Sequence, residues 1–356
     1  MGPWRQWAQP QQDGRLEPSD YDPRVQRYHL YVQWLLHEQL QRTAESGADL
    51  YLDMPVGVSA DGYDIWRHRE QFVDGANVGA PPDAFFTGGQ DWGMRPMHPE
   101  RSRLDGHRHF RASLQAHLRY AGALRIDHIM ALHRLYWVPH GLSARQGVYV
   151  RYPAEELYAV LCIESHRARA EIIGENLGTV PAAVNSMMTR RGIAPLYVGQ
   201  FSVTGRVDQP LQPPPAGSVA SLNTHDTPTF AAYWRGDDIV QRHAMGLLAD
   251  DQVDVEQTNR KQFRMSMPDG HNPDDEQAAR EAMLRLLSDL AGSDTGLVLI
   301  NLEDVWLERR AQNVPGTINE TNWRRKARYS LEQIVRSPQV REAVQAVAES
   351  TRSPNG

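Results

Sequence analysis

One cysteine in 356 residues, Cys162, excludes an intrachain disulfide. It lies in the mostly apolar helical stretch 157–163, which makes it a buried core thiol rather than a nucleophile. No apolar run reaches the roughly 18 residues that a spanning helix needs, which excludes a membrane helix. Residues 1–20 are rich in Gln, Pro, Arg and Trp and lack the apolar stretch of a signal peptide. Gly2 does not open a myristoylation pattern, because Gln6 stands where Ser or Thr is required. An excess of positive charge is also missing. Lys and Arg total 38 and Asp and Glu total 44, a net charge of −6, which disfavours nucleic acid and suits a neutral ligand. A soluble, cytoplasmic protein is the expectation, and the sequon Asn319-Glu320-Thr321 has no secretory context to matter in.

Several motifs are absent too. No Gly-x-Gly-x-x-Gly opens a helix after a strand, which disfavours a dinucleotide fold. Neither a Gly-x-Ser-x-Gly elbow nor a phosphate loop occurs. His37-Glu38 lacks the second His of a metalloprotease helix, and His107, His109, His128 and His133 form no known ligand spacing. No metal, nucleotide or organic cofactor is therefore expected.

What remains is ordinary globular composition, 40% hydrophobic and 23% charged, enough for one large domain or two smaller ones. Asp22-Pro23 caps a first helix, with Tyr28, Tyr31 and Leu35 at helical spacing. Residues 48–54 then read as a buried strand, followed by a long irregular segment, 57–103, rich in Gly, Pro, Asp and aromatics. From there helix and strand alternate. Helices are expected near 107–120, 153–168, 181–191, 227–234, 276–290 and 330–348, and strands at 123–127, 170–174, 195–201, 218–222 and 296–301. The acidic stretch 249–276 reads as an excursion, and the tail from 349 as frayed. Alternation of this kind means a parallel sheet, doubly wound or closed into a barrel. The strands read here are two short of a closed (β/α)₈ barrel.

Carboxylates recur where the strands end: Asp53, Asp127, Glu175, Asp226, and the pair Glu303 and Asp304. Catalytic groups of barrel enzymes occupy that rim. Asp127, Glu175 and Asp226 follow one another at intervals that hold one or two strand–helix units, so all three can line one edge. Glycoside chemistry needs such a set: one carboxylate to attack the anomeric carbon, one acid to protonate the leaving oxygen. Arg125, two residues before Asp127 on one strand, shares its face and would keep it ionised. Glu175, as the acid, should sit in a drier place with a raised pKa. A blander assignment stands beside this one, since Asp226 before Thr-Pro-Thr also suits a helix N-cap.

The motifs narrow the choice. Leu-Arg-Ile-Asp-His (124–128), Gly-Glu-Asn-Leu-Gly (174–178) and Asn-Thr-His-Asp (223–226) match, in order, three signature blocks of the α-amylase clan. The chain more closely resembles the amylomaltase, or disproportionating-enzyme, 4-α-glucanotransferases of glycoside hydrolase family 77. That resemblance extends over 53–58, 81–93, 133–139, 314–317 and 322–323. It implies a (β/α)₈ barrel of the α-amylase clan, with 57–103 and 249–276 as insertions, lacking the usual N-terminal part. It implies Asp127 as nucleophile, Glu175 as general acid/base and Asp226 as transition-state stabiliser. Arg125, His225, Gln90, Trp92 and Asp53 would contact substrate, Gln90 and Trp92 from a loop over bound glucan, where an aromatic plane can stack on a sugar ring. Asn176 stands where the family usually has Asp.

The implied activity is retaining transfer between α-1,4-glucans or malto-oligosaccharides. Hydrolysis with the same carboxylates, or an inactive glucan-binding remnant, are the alternatives. A shortened barrel would expose strand edges, so a complementary N-terminal segment or self-association is expected, with weak or no activity for the chain by itself.

Overall fold

The computed structural model describes residues 3–83, 88–315, 317 and 322–351. The sequon, residues 84–87 of the 81–93 block, Gly316 and the end of the tail lie outside the described residues. The chain divides into two compact units, one of residues 3–83 with 88–194, the other of the described residues from 195 onward.

The first unit opens with the helix Pro23–Glu45, capped as expected by the Asp22 carboxylate, which accepts from the Arg24 N–H at 2.8 Å. Its side chains remain at least partly open to solvent, Tyr28, Leu30, Tyr31 and Trp34 most of all. Strands β1 (Leu50–Met54), β2 (Ala76–Ala80), β3 (Gln90–Asp91), β4 (Ala121–Ile126), β5 (Arg134–Pro139), β6 (Val148–Arg151) and β7 (Glu171–Gly174) follow. β4 lies between β1 and β7, parallel to both, with Asp53 opposite Arg125 and Ile126 opposite Gly174. Helix Arg108–Leu118 turns Phe110, Leu114 and Leu118, four residues apart, into the core. There they meet Leu124, Ile172, Leu157, Leu161 and Met188. Each such buried side chain contributes about 1.5–3 kcal/mol, so the strands that carry Asp53, Asp127 and Glu175 are anchored on the main hydrophobic core of the unit.

The second sheet of this unit corrects the expectation for 57–103. Instead of an irregular segment, it contributes β2 and β3 to a four-stranded antiparallel sheet in the order β3-β2-β5-β6. Gly79 permits the closest approach in it, since a Cβ there would collide with the Gln90 carbonyl. Cys162 is half-buried, not a core thiol.

The second unit has β8 (Ala194–Val198), β9 (Val219–Ser221) and β10 (Leu297–Leu299), with β9 parallel to both neighbours. Helix Glu276–Ala291 buries Ala279, Met283, Leu286 and Leu290 against Phe230, Trp234 and Phe263. Its N-terminus is capped by Asp275, which accepts from the N–H groups of Gln277 and Ala278 at 3.0 Å. Residues 249–276 are less of an excursion than expected. They form the helix Asp250–Met265, and Arg260 in it pairs with Asp238 at 2.7 Å, both buried. The expected helix 330–348 is two helices, Leu331–Arg336 and Pro338–Ser350, because Ser337 before proline is forced into an extended conformation. The six parallel strands expected from the sequence are all present. Among the described residues no helix is long and apolar enough to cross a membrane.

Candidate active site

In the first unit, β1, β4 and β7 end side by side and bring Asp53, Arg125, Asp127 and Glu175 together. Arg125 is buried and grips both flanking acids. Its Nη1 lies 2.8 and 2.9 Å from the two Asp53 oxygens, and its Nη2 lies 2.9 Å from Asp127 Oδ1. Burial works against the guanidinium's charge, but Asp127 and Asp53 outweigh it and raise its pKa further. The second Asp127 oxygen accepts the Val56 N–H at 3.3 Å, and the Asp127 N–H donates to the Met54 carbonyl at 3.0 Å. Asp127 is thus held by Arg125 on its own strand and by the backbone at the end of β1.

Glu175 is held differently. Its carboxyl oxygens accept two backbone N–H groups, from His128 at 2.9 Å and from Leu177 at 2.8 Å. Such donors favour the ionised form, yet the group behaves the other way. Burial dominates and, with the negative charge of Asp127 nearby, pushes its pKa up to about 7 despite the two amides and Arg125. The cover over it comes from His128, which takes the left-handed conformation at φ 48° directly after Asp127. Its imidazole Nδ1 is 4.0 Å from Glu175 Oε2, and burial lowers its pKa to about 4, so the ring is neutral at pH 7. Trp92 packs edge-on against that ring with centroids 5.4 Å apart, and its Nε1–H donates to Gln90 Oε1 at 3.2 Å. The structure therefore brings Gln90 and Trp92 to this cluster through His128, the last residue of the 124–128 block, to which the sequence reading gave no role in the site. Its place directly after Asp127 was the available signal.

Two consequences can be measured. Arg125→Met should lower stability by about 2–3 kcal/mol, short of the 3–5 kcal/mol for a fully buried pair, because Asp53 and Asp127 keep some solvent. Urea denaturation would show it, and an unchanged midpoint would mean that the clamp is not structural. At Gly174 an added Cβ would meet Ile129 Cδ1 at 2.6 Å and Met188 Cε at 2.7 Å, both buried. Gly174→Ala should therefore cost about 1–3 kcal/mol through overpacking, and a thermal scan that shows no loss would contradict it.

In the second unit, His225 and Asp226 lie on the loop after β9. Asp226 Oδ2 is 3.2 Å from His225 Nε2, and its Oδ1 accepts from Asn313 Nδ2 at 2.7 Å. The indole of Trp323 stands 5.3 Å from the His225 ring. Asp226 is not a helix cap. The helix Phe230–Arg235 starts later and is capped by Thr229, which accepts from the Ala232 N–H at 3.4 Å. Of the two strand-end acids near β10, Asp304 is buried and Glu303 accepts from Gln312 at 2.8 Å. Asn176 donates to Asn185 at 2.9 Å.

A buried acid near neutrality beside an ion-paired carboxylate is the arrangement that separates proton donor from nucleophile in glycoside chemistry. The family model for glycoside hydrolase family 77, described as 4-alpha-glucanotransferase, matches residues 1–332, and the chain belongs to that family. It is 35% identical over 350 residues to a 4-alpha-glucanotransferase of Mycobacterium tuberculosis, a match covering 90% of this chain and 47% of the relative. A Haemophilus influenzae 4-alpha-glucanotransferase is 31% identical, with 84% and 46% covered. The chain thus spans about half the length of the curated relatives it matches. Among solved structures, the amylomaltase of Corynebacterium glutamicum superposes with a TM-score of 0.78 at 27% identity, over 93% of this chain and 52% of that one. An amylomaltase of Streptococcus agalactiae, solved with acarbose, gives 0.68 at 20% identity over 92% and 62%, a likeness of fold. These likenesses support the barrel-type α/β class read from the sequence.

Proposed function

We propose that this chain carries the catalytic carboxylates of a retaining 4-α-glucanotransferase. The observation that carries the proposal is the contrast between two neighbouring acids: Asp127 salt-bridged to Arg125, Glu175 buried with its pKa near 7. In this scheme Asp127 attacks the anomeric carbon of an α-1,4-linked glucosyl unit. Glu175 gives its proton to the departing 4-oxygen, and Asp127 becomes esterified to the glycan. The hydroxyl of a second glucan then attacks, Glu175 takes its proton back, and transfer is complete with retention. Arg125 and Asp53 orient Asp127. The family resemblance gives Asp226 the part of transition-state stabiliser, with His225 beside it. Gln90 and Trp92, on the 57–103 insertion, take the role of glucan contacts, the indole offering a flat apolar face to a sugar ring.

The test is incubation of the chain with maltotriose. Glucose with maltopentaose and longer products supports transfer. Glucose and maltose without elongation would make it a hydrolase. Tight binding without turnover would make it a glucan-binding protein and sink the enzymatic assignment. Proton NMR of the first products distinguishes retention from inversion.

A further inference from the structure

Residues 223–230 run from the end of β9 to the first turn of helix Phe230–Arg235, and His225 and Asp226 stand exposed between buried ends. Both ends converge on one side chain. Asp304 Oδ2 accepts from Asn223 Nδ2 at 2.7 Å, and Asp304 Oδ1 accepts from the Phe230 N–H at 2.7 Å. Asn223 is fixed in turn. Its carbonyl accepts from Ser221 Oγ at 2.7 Å and from Asn301 Nδ2 at 3.1 Å, and its side-chain oxygen also accepts from Asn301. Asp304, Asn223 and Ser221 are 3%, 3% and 2% exposed.

We propose that Asp304 is a positioning residue for the segment 223–230: by tying its two ends together it sets where Asp226 is presented. The proposal rests on the role given above to Asp226. An acidic residue in the first turn of a short helix ordinarily does no more than favour the helix dipole. Asp304 departs from that pattern, because it is buried and its partners lie 74 and 81 residues away in sequence. Burial pushes its carboxyl up to about 7, against the pull of the Phe230 and Asn223 donors. An apolar side chain would avoid that penalty, so a carboxyl here is explained by the two directional bonds it makes. Between the tied ends the segment makes local contacts, Thr224 N–H to Thr227 Oγ1 at 2.9 Å and Asp226 N–H to Thr224 Oγ1 at 3.2 Å, and two distant ones, Gln200 Nε2 to the Pro228 carbonyl at 2.8 Å and Asn313 Nδ2 to Asp226 Oδ1 at 2.7 Å. Loss of the tie should therefore release both buried ends, leaving Asp226 placed by these contacts alone.

The experiment uses the full chain with Asp304→Ala, Asp304→Asn, and the exchange of partners Asp304→Asn with Asn223→Asp. The exchange keeps every donor facing an acceptor, including Asn301 toward position 223. Hydrogen–deuterium exchange read by mass spectrometry reports on 223–230, and maltotriose disproportionation gives kcat and KM. Asp304→Ala should speed amide exchange in that segment at least about tenfold and lower kcat about 100-fold, with KM nearly unchanged, the cost of a misplaced catalytic group. The partner exchange should restore protection and most of kcat. The proposal is overturned if Asp304→Ala leaves exchange in the segment unaltered, if exchange rises while kcat holds, or if the partner exchange is as impaired as Asp304→Asn. A wild-type chain without transfer activity would sink the role of Asp226 and the catalytic part of this proposal with it. Whether Asp304 ties the segment is then still decided by the exchange data, which keeps the two failures distinguishable.

Discussion

Glu175→Gln is expected to lower kcat for maltotriose disproportionation by about 10²- to 10⁴-fold, the range that general acid catalysis supplies. The amide is close in shape but has no proton to give. It also turns an NH₂ toward one of the two backbone donors, His128 or Leu177, so a loss of about 1 kcal/mol in stability should accompany it. The pH dependence makes the prediction specific. For the first step the carboxyl must be protonated, and its pKa in the free protein is near 7, so wild-type kcat/KM should fall about tenfold per pH unit above that point. The stability contribution of the same group has a definite sign. Its folded pKa lies above its ordinary value, so between about 4.5 and 7 the folded state holds the extra proton and stability declines as pH rises. Activity measured from pH 5 to 9.5 for both proteins decides the matter. A Gln variant within tenfold of wild type, or a wild-type profile flat through pH 8, would remove Glu175 from the role of acid.

Asp127→Ala should be the more damaging change, with kcat down by about 10⁴-fold or more, because no other group then forms the covalent intermediate. Arg125 keeps its two contacts to Asp53, so the melting temperature should fall only modestly. A positive signature is available. With the carboxylate gone, azide can take its place against an activated donor such as α-maltosyl fluoride, and the product should be the β-azide. The same experiment on Asp226→Ala should give none. Formation of the β-azide by the Asp226 variant instead of the Asp127 variant would exchange the two roles.

Much of this was legible beforehand, for physical reasons. The six parallel strands are short apolar runs bounded by Gly, Pro or acids, and their alternation with amphipathic helices is a local pattern. Arg125 and Asp127 share a face through the period of two along a strand, and the structure joins them at 2.9 Å. The antiparallel sheet was not legible. β2 is Ala-Asn-Val-Gly-Ala and β3 only Gln-Asp, and both take their order from partners far along the chain rather than from their own side chains. Three further features lacked a sequence signal for a related reason. The left-handed turn at His128, the amide pair that holds Glu175 and the burial of Asp304 each depend on backbone brought together from separate elements. The break at Ser337 was legible and was missed, since the proline that follows it is plain to see.

The grip on Glu175 by two peptide N–H groups limits how its chemistry can be retuned. A side-chain partner can be exchanged by substitution, but a peptide N–H persists in every residue except proline. The environment open to mutation is the aromatic cover of His128 and Trp92, and at position 128 a β-branched replacement would be strained by the positive φ. Trp92 is therefore the practical handle for an engineer. A smaller residue there would admit water, draw the acid's pKa downward and move the working range of the chemistry toward lower pH, with the acid's backbone donors left in place.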